Sequence, residues 1–403
     1  MEIIKRQEYL KRIERYFDRQ TIVVLVGQRR VGKSCLLKSL CEEKQKESRA
    51  NIIYIDKEKR NFDFIKTYQD LNEYLAAHWQ EGKKNYILID EVQDIAEFER
   101  SLRSFHTEPE TEIVVTGSNA KMLSSQLTTL IGGRYKEIYV QSLSYAEFLL
   151  FHQLTDGNEA LGKYISLGGM PGLVKIGLDD EDDVREYLLD VYHTVLLKDV
   201  VMRNSIRNVT FLDNLVFFMA DNEGKLISAS SISKYMKSQG ESVTSTAVIN
   251  YQAALSEAYV LSKVSRFDIH GKRIFESNDK YYFEDNGIRN AIVGGSREGD
   301  VEKVIENVVY QHLVRLGFQV YVGQLQAGEI DFVCSKPRGE RVYVQTSYVI
   351  ADEATRNREF GNLRRIGDNY PKYVISITPL VDRSVSEGII HLHLRRFLLH
   401  GLS

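Results

Sequence analysis

The sequence predicts an α/β protein whose first part is a parallel sheet with helices on both faces. Two observations predict it. An apolar run, Thr21-Ile-Val-Val-Leu-Val26, leads into a glycine-bearing stretch and then into a helical pattern starting at Cys35-Leu-Leu. Three further apolar runs, Asn51-Ile-Ile-Tyr-Ile-Asp56, Tyr86-Ile-Leu-Ile-Asp90 and Glu112-Ile-Val-Val-Thr-Gly117, follow it. Runs that alternate with helical spacing in this way read as buried parallel strands. The rest of the chain reads differently. Three helical segments and a pair of alternating segments come first, then a long amphipathic helix with more strands, so smaller domains are expected there.

Taken in order, residues 7–18 place Tyr9, Leu10, Ile13 and Phe17 on one helix face. The first strand then meets Gly27-Gln-Arg-Arg-Val-Gly-Lys33-Ser34, which fits G-x-x-x-x-G-K-[ST] between a strand and a helix. Glycines let the backbone fold around an anion, and consecutive N–H groups at a helix N-terminus point at phosphates. Gly27, Gln28, Arg29, Arg30, Val31, Gly32, Lys33, Ser34 and Cys35 are therefore the expected phosphate cradle. ATP is the expected ligand, with Lys33 on its β- and γ-phosphates and Ser34 on Mg²⁺. Residues 64–79 show helical spacing through Ile65, Tyr68, Leu71, Leu75 and Trp79.

Tyr86-Ile-Leu-Ile-Asp90-Glu91 is the second chemical motif: an apolar strand that ends in two acids. Alone it is a weak signal. Downstream of a phosphate loop it is a strong one, because a Mg²⁺ site needs both halves. Asp90 is the expected metal ligand and Glu91 the expected general base. The strand 112–117 ends in Ser118 and Asn119, either of which would orient water near a γ-phosphate; a turn-forming Ser-Asn pair explains them equally. Arg134 follows a glycine pair and reads either as an arginine finger or as a surface or ion-pairing residue.

With these residues quoted, a resemblance can be stated. GQRRVGKS, LIDEVQDI, VVTGSNAKML, GGRYKEIYVQSLSYAEF and GGMPGLV resemble the AAA+ family of predicted prokaryotic ATPases that carry a C-terminal nuclease-like domain of unknown function. The resemblance covers nearly the whole chain. It implies a P-loop NTPase parallel sheet with a helical lid, followed by a winged helix and a smaller α/β nuclease-like domain. It also implies Arg134 at the arginine-finger position and Ser118-Asn119 at the sensor position. If Arg134 acts in trans, the protein is a homo-oligomer. The expected division is 1–142 for the ATPase core, 143–204 for the lid, 205–290 for the winged helix and 291–403 for the nuclease-like domain.

In the middle, Ser144-Tyr-Ala-Glu147 opens a helical segment, and Leu167-Gly-Gly-Met-Pro-Gly172 reads as a tight turn or a hinge. The acids of 179–183 suit a helix N-terminus. Residues 209–264 read as three helices, followed by a hairpin with its turn near His270-Gly271. Three helices and a hairpin make a winged helix, in which the third helix enters the major groove and the wing touches phosphate. Lys234, Lys237, Thr244, Ser245, Lys263, Arg266, Lys272 and Arg273 favour DNA contact. Glu241, Glu257 and the lack of basic residues on the third helix disfavour it.

In the last part, residues 300–316 form an amphipathic pattern containing Glu306. Glu329-Ile-Asp331 and Val342-Tyr-Val-Gln345-Thr-Ser347 read as strands. The order resembles a restriction-endonuclease-like core, whose acids hold Mg²⁺ and whose Lys activates water. Here Gln345 stands where an acid is expected and Ser347 where the Lys is expected. Glu306, Glu329 and Asp331 could still collect a metal or form only a buried polar cluster; with Gln345 they are expected to mark a degenerate site, kept for nucleic-acid or partner binding. The arginines of 356–365 read as a phosphate contact or a solvated face. The tail from Ile389 reads as a final strand.

Bulk composition excludes several classes. Of 403 residues, 43% are hydrophobic and 27% charged, and the net charge of -3 gives no global basic field. Three cysteines without CxxC spacing indicate neither a disulfide framework nor a zinc cluster, which suits a reducing cytoplasm. Neither a signal peptide nor a transmembrane run is read. Three functions remain open: an ATPase driving its C-terminal modules, an ATP-gated DNA- or protein-binding switch, and an ATP-regulated nuclease.

Overall fold

The computed structural model describes residues 4–118, 132–241, 243–271, 273–274, 278–295, 298–326, 328–337, 339–379 and 381–403. Two compact units result: Met1–Gln141 with Glu257–Tyr259, and Ser142–Ser256 with Val260–Ser403.

The first unit is built on a five-stranded sheet in the order β2-β3-β4-β1-β5, all parallel. Its strands are β1 (Ile22–Val26), β2 (Ala50–Asp56), β3 (Lys84–Asp90), β4 (Thr111–Gly117) and β5 (Tyr135–Tyr139). Every residue of β1 is buried, which is why the strand has no polar alternation. Its helices are α1 (Gln7–Glu14), α2 (Lys33–Lys44), α3 (Tyr68–His78) and α4 (Phe98–Phe105). Helix α3 starts later than its apolar spacing suggests, because Thr67 and Asp70 form a reciprocal capping box there. On one sheet face, Val24, Ile55, Ile87, Ile89 and Val115 pack with Leu71, Leu75, Phe98 and Leu102. Each such side chain contributes about 1.5–3 kcal/mol on burial.

The second unit is built on an eight-stranded mixed sheet in the order β14-β15-β13-β12-β11-β10-β7-β8, with a separate pair β6-β9. The strands are β6 (Leu261–Val264), β7 (Arg266–Asp268), β8 (Arg273–Ile274), β9 (Lys280–Phe283), β10 (Gln319–Gln324), β11 (Glu329–Ser335), β12 (Arg341–Ser347), β13 (Lys372–Ser376), β14 (Arg383–Ser386) and β15 (Ile389–His393). Ahead of them run α5 (Tyr145–His152), α6 (Asn158–Leu167), α7 (Leu173–Ile176), α8 (Glu181–Val195), α9 (Val209–Asp221), α10 (Ala229–Ser238) and α11 (Ser245–Glu257). Among and after the strands run α12 (Asn286–Ile292), α13 (Val301–Arg315), α14 (Glu353–Arg364) and α15 (Leu394–His400). Asp180 caps α8 at the acidic run, as the sequence suggests.

Two expectations need correcting. The hairpin after α11 is not a free wing: its outer strands β7 and β8 pair with each other, and β7 joins β10 in parallel as part of the large sheet. Hydrogen bonding therefore crosses the expected boundary at 290. The tail from Ile389 is a strand only as far as His393. Leu394, Phe397 and Leu398 then follow helical spacing, and the His393 side chain caps α15 by accepting from the Arg395 N–H at 3.1 Å. The turn at 167–172 is tied to a buried carboxylate. Asp285 at the N-cap of α12 accepts the Gly169 N–H at 2.9 Å, and a β-carbon on Gly168 would lie 2.3 Å from Asp285 Oδ1.

Candidate active site

Strands β3, β4 and β1 are neighbours, run the same way and end together, with Val26 opposite Gly117 and Ile89 opposite Val115. The loop after β1, the acids after β3 and the serine after β4 therefore leave one edge of the sheet, where α/β folds bind ligands.

The loop needs its glycines. Gly27 has φ 142°, and a β-carbon there would sit 2.2 Å from the Val140 carbonyl oxygen. Gly32, the N-cap of α2, has φ 97°. Lys33 is buried at the first turn of α2, and its ammonium donates to the Gly27 and Gln28 carbonyls at 2.8 and 2.9 Å. Arg29 pairs with Glu58 at 3.3 Å, whereas Arg30 and Cys35 are exposed. Val31 is buried, and its carbonyl accepts from Arg6 at 3.0 Å. The same guanidinium nitrogen donates to the Gln141 carbonyl at 2.9 Å. Arg6 lies 4.4 Å from the Tyr9 ring centre, and the Tyr9 hydroxyl accepts the Gln141 N–H at 3.2 Å.

Asp90 is almost wholly buried. Burial raises its pKa; the Thr116 and Ser34 hydroxyls pull it back down, and neighbouring Glu91 and Asp56 add to the rise. Thr116 donates to Asp90 Oδ1 at 2.6 Å and accepts the Glu91 N–H at 2.9 Å. Glu91 has left-handed backbone angles, φ 54° and ψ 53°, a strained conformation for a residue with a β-carbon. Its Oε2 accepts from Ser118 Oγ at 3.3 Å and from the Gln93 side-chain amide. The serine proposed as sensor thus touches the proposed base; Asn119 lies outside the described residues.

Lys33, Ser34, Asp90, Glu91 and Ser118 gather at this edge; Arg134 does not. Its carbonyl accepts from the Ile22 N–H at 3.0 Å, at the start of β1, and β5 runs from there to Tyr139 opposite Val26. The loop leaves the other end of β1, roughly 16 Å away at the usual strand rise. The exposed Arg134 side chain cannot cover that distance within one chain.

The acids of the second unit are arranged otherwise. Glu306 lies on α13, and Glu329 and Asp331 lie on β11. The β10–β11 register shifts between Tyr321 and Gly323, and such a bulge re-aims side chains. Asp331 Oδ2 accepts the Thr346 N–H and hydroxyl, each at 2.7 Å, while Gln345 Oε1 accepts the Asp331 N–H at 3.4 Å. Among the described residues, no group of three or more His, Cys, Asp or Glu is placed to hold a metal ion. Lys280 from β9 instead reaches Glu306 Oε1 at 2.9 Å and Glu329 Oε1 at 2.6 Å.

Some of the basic residues expected to meet DNA are engaged. Lys263 pairs with Asp279 at 3.1 Å and Arg266 donates to Gln324 at 2.5 Å. Arg358 pairs with Glu359 and Arg364 with Glu387. Lys234 and Lys237 are exposed, Lys272 lies outside the described residues, and the side chain of Arg273 is not described.

A glycine loop after β1, buried acids after β3 and a hydroxyl after β4 at one edge of a parallel sheet are the arrangement of a P-loop fold. Residues 19–149 match a family model described as an AAA domain, and residues 158–299 match one described as a domain of unknown function, DUF8612. The chain is 32% identical over 381 residues to an uncharacterized protein of Haemophilus influenzae, with 93% of each covered, and it belongs to that protein's family. It is 27% identical over 378 residues to an uncharacterized protein of Methanocaldococcus jannaschii, covering 89% of this chain and 82% of that one. A solved Walker-type ATPase of Pyrococcus abyssi shares the fold, with a TM-score of 0.51 at 16% identity over 72% of this chain and 96% of the other.

Reading the sequence alone misses Arg6, Thr116, Gln93 and Lys280. Thr116 was within reach, because parallel neighbours that end together place it beside Asp90. Arg6 and Lys280 sit far along the chain from what they bind and carry no local signal.

Proposed function

We propose that the first unit binds and hydrolyses ATP. The placement of Lys33, Ser34, Asp90 and Glu91 at one sheet edge, tied together by Thr116, carries this reading. Lys33 would leave the loop carbonyls for the β- and γ-phosphates, and the loop N–H groups would cradle them. The hydroxyl of Ser34 and the carboxylate of Asp90 suit Mg²⁺, a hard cation that takes oxygen ligands. When bound, Mg²⁺ supplies neutralisation of phosphate charge. Glu91 accepts the proton of the attacking water, and Ser118 orients its carboxylate. Glu91→Gln should keep ATP bound while turnover falls by about 100-fold or more. Unchanged turnover would remove Glu91 from the mechanism.

Arg134, set at the far end of β5, would serve the nucleotide of a second copy of the chain. Arg134→Ala should then lower turnover by about 10³-fold in concentrated, assembled protein and have no effect on dilute monomer. Equal activity at all concentrations would return Arg134 to a surface role.

The second unit is read as the part that nucleotide turnover moves. Residues 143–204 would act as a lid, 205–290 as a winged-helix-like module and 291–403 as a nuclease-like fold without chemistry of its own. Exposed Lys234 and Lys237 on α10 favour DNA as its partner, with cytoplasmic function expected. Salt-dependent retention of the full chain on DNA, weakened by Lys234→Glu/Lys237→Glu, tests this. Retention unaffected by the pair would turn the reading towards a protein partner.

A further inference from the structure

One buried ammonium outside the candidate nucleotide site is that of Lys280. This residue is 4% exposed, and its ammonium touches carboxylates from two different elements, Glu306 on α13 and Glu329 on β11. Tyr282, two residues along β9, donates its hydroxyl to the same Glu306 Oε1 at 2.5 Å. Lys303 and Arg289, the other cations near this interior, are taken by Asp300 at 2.6 and 2.8 Å. Asp331 is turned to the backbone of β12. The acids facing Lys280 are thus held in pairs by internal donors.

Three physical facts bear on what this cluster can take. Burial works against the Lys280 charge, but Glu306, Asp331 and Glu329 outweigh it and keep the amine protonated. Burial, countered by Lys280 and aided by Asp331, pushes Glu306 up to about 7. A divalent ion binding between Glu306 and Glu329 would need carboxylate oxygens at about 2.0–2.6 Å on the line where the ammonium already lies. An ion entering beside that ammonium would meet repulsion in a medium that screens charge poorly.

We propose that Lys280 is the resident cation of this cluster: its ammonium stands between Glu306 and Glu329 where a divalent ion would bind, so the native chain clamps β9, α13 and β11 together without metal, and removing the lysine charge opens a divalent-cation site. The clamp joins the β6-β9 pair to the large sheet by charge and replaces an exchangeable ion with a covalently attached one.

The test uses full-length protein and Mn²⁺ as the probe, counted by electron paramagnetic resonance without nucleotide. Lys280→Ala should bind one more Mn²⁺ per chain than the native protein, and adding Glu306→Gln should remove the gain. The proposal is overturned if folded Lys280→Ala gains no ion. It is equally overturned if native protein holds an ion that Glu306→Gln releases, or nicks plasmid DNA in Mn²⁺ unless Asp331 is changed to Asn. Should Lys280→Ala fold poorly, Mn²⁺ added during refolding should recover it, whereas Lys280→Ala/Glu306→Gln should fold without the ion. A double variant that folds beside a single variant that Mn²⁺ does not rescue would refute the clamp.

Discussion

Two groups of acids in this chain look alike in sequence and differ in how their charge is met. Asp90 and Glu91 end a buried strand among hydroxyls and amides: Thr116, Ser34, Ser118 and Gln93. Glu306 and Glu329 are met by a buried ammonium. Hydroxyls orient a carboxylate without cancelling its charge, so the first group keeps its attraction for a cation. One ammonium offsets part of the charge of the two carboxylates and the Tyr282 hydroxyl adds a second donor to Glu306, so the second group is met mainly from within the fold. Sequence motifs record where acids stand; the counter-charge decides what they do.

The contrast can be broken most strongly by changing one acid in each unit. Glu91→Gln should cost the full catalytic factor already given, while Asp331→Asn should leave ATP turnover within about twofold, since it lies outside the nucleotide machinery. Next comes the clamp itself. Lys280→Ala leaves half-buried Glu306 and Glu329 without their ammonium and should cost, in denaturant unfolding of the second unit, at most the about 3–5 kcal/mol lost when a fully buried pair is broken. Lys280→Met with Glu306→Gln should recover much of that, because a neutral, well-packed replacement needs no counter-charge. A smaller effect is expected at Thr116. Thr116→Val removes the donor to Asp90 and the acceptor of the Glu91 N–H, which should cost about 1–3 kcal/mol and slow turnover. Turnover unaffected by a folded Thr116→Val would show that the hydroxyl only supports packing.

The mildest effect concerns pH. Burial pushes Glu223 up to about 8, with Arg289 pulling in the opposite direction. A carboxyl whose folded pKa lies above its unfolded value stabilises the fold in its protonated form. That contribution is present below about pH 4.5 and is lost as pH rises towards 8. The stability of the native chain relative to Glu223→Gln should therefore fall across that window and then level off. A difference independent of pH would mean that Arg289 keeps Glu223 ionised throughout.

Much of the first unit was legible because its information is local. Continuous apolar runs such as Thr21-Ile-Val-Val-Leu-Val26 can only be doubly buried strands, and the loop glycines are dictated by backbone geometry. The placement of Lys33, Ser34, Asp90 and Glu91 at one sheet edge was legible for the same reason. The second unit was harder. Its short strands are placed by pairings such as β7 with β10, which join residues more than fifty positions apart. Hairpin spacing at 261–283 identified strands but not their partners, so a wing was expected where two strands enter a larger sheet. Lys280 escaped notice because a lysine in an alternating strand reads as solvent-facing, and only the tertiary fold buries it.

Arg6 gives the loop a reach beyond its own ligand. One guanidinium nitrogen holds both the Val31 carbonyl, inside the phosphate loop, and the Gln141 carbonyl, the last residue of the first unit before the chain passes to Ser142. The guanidinium thus ties a carbonyl of the loop after β1 to the carbonyl of the residue that ends the segment following β5.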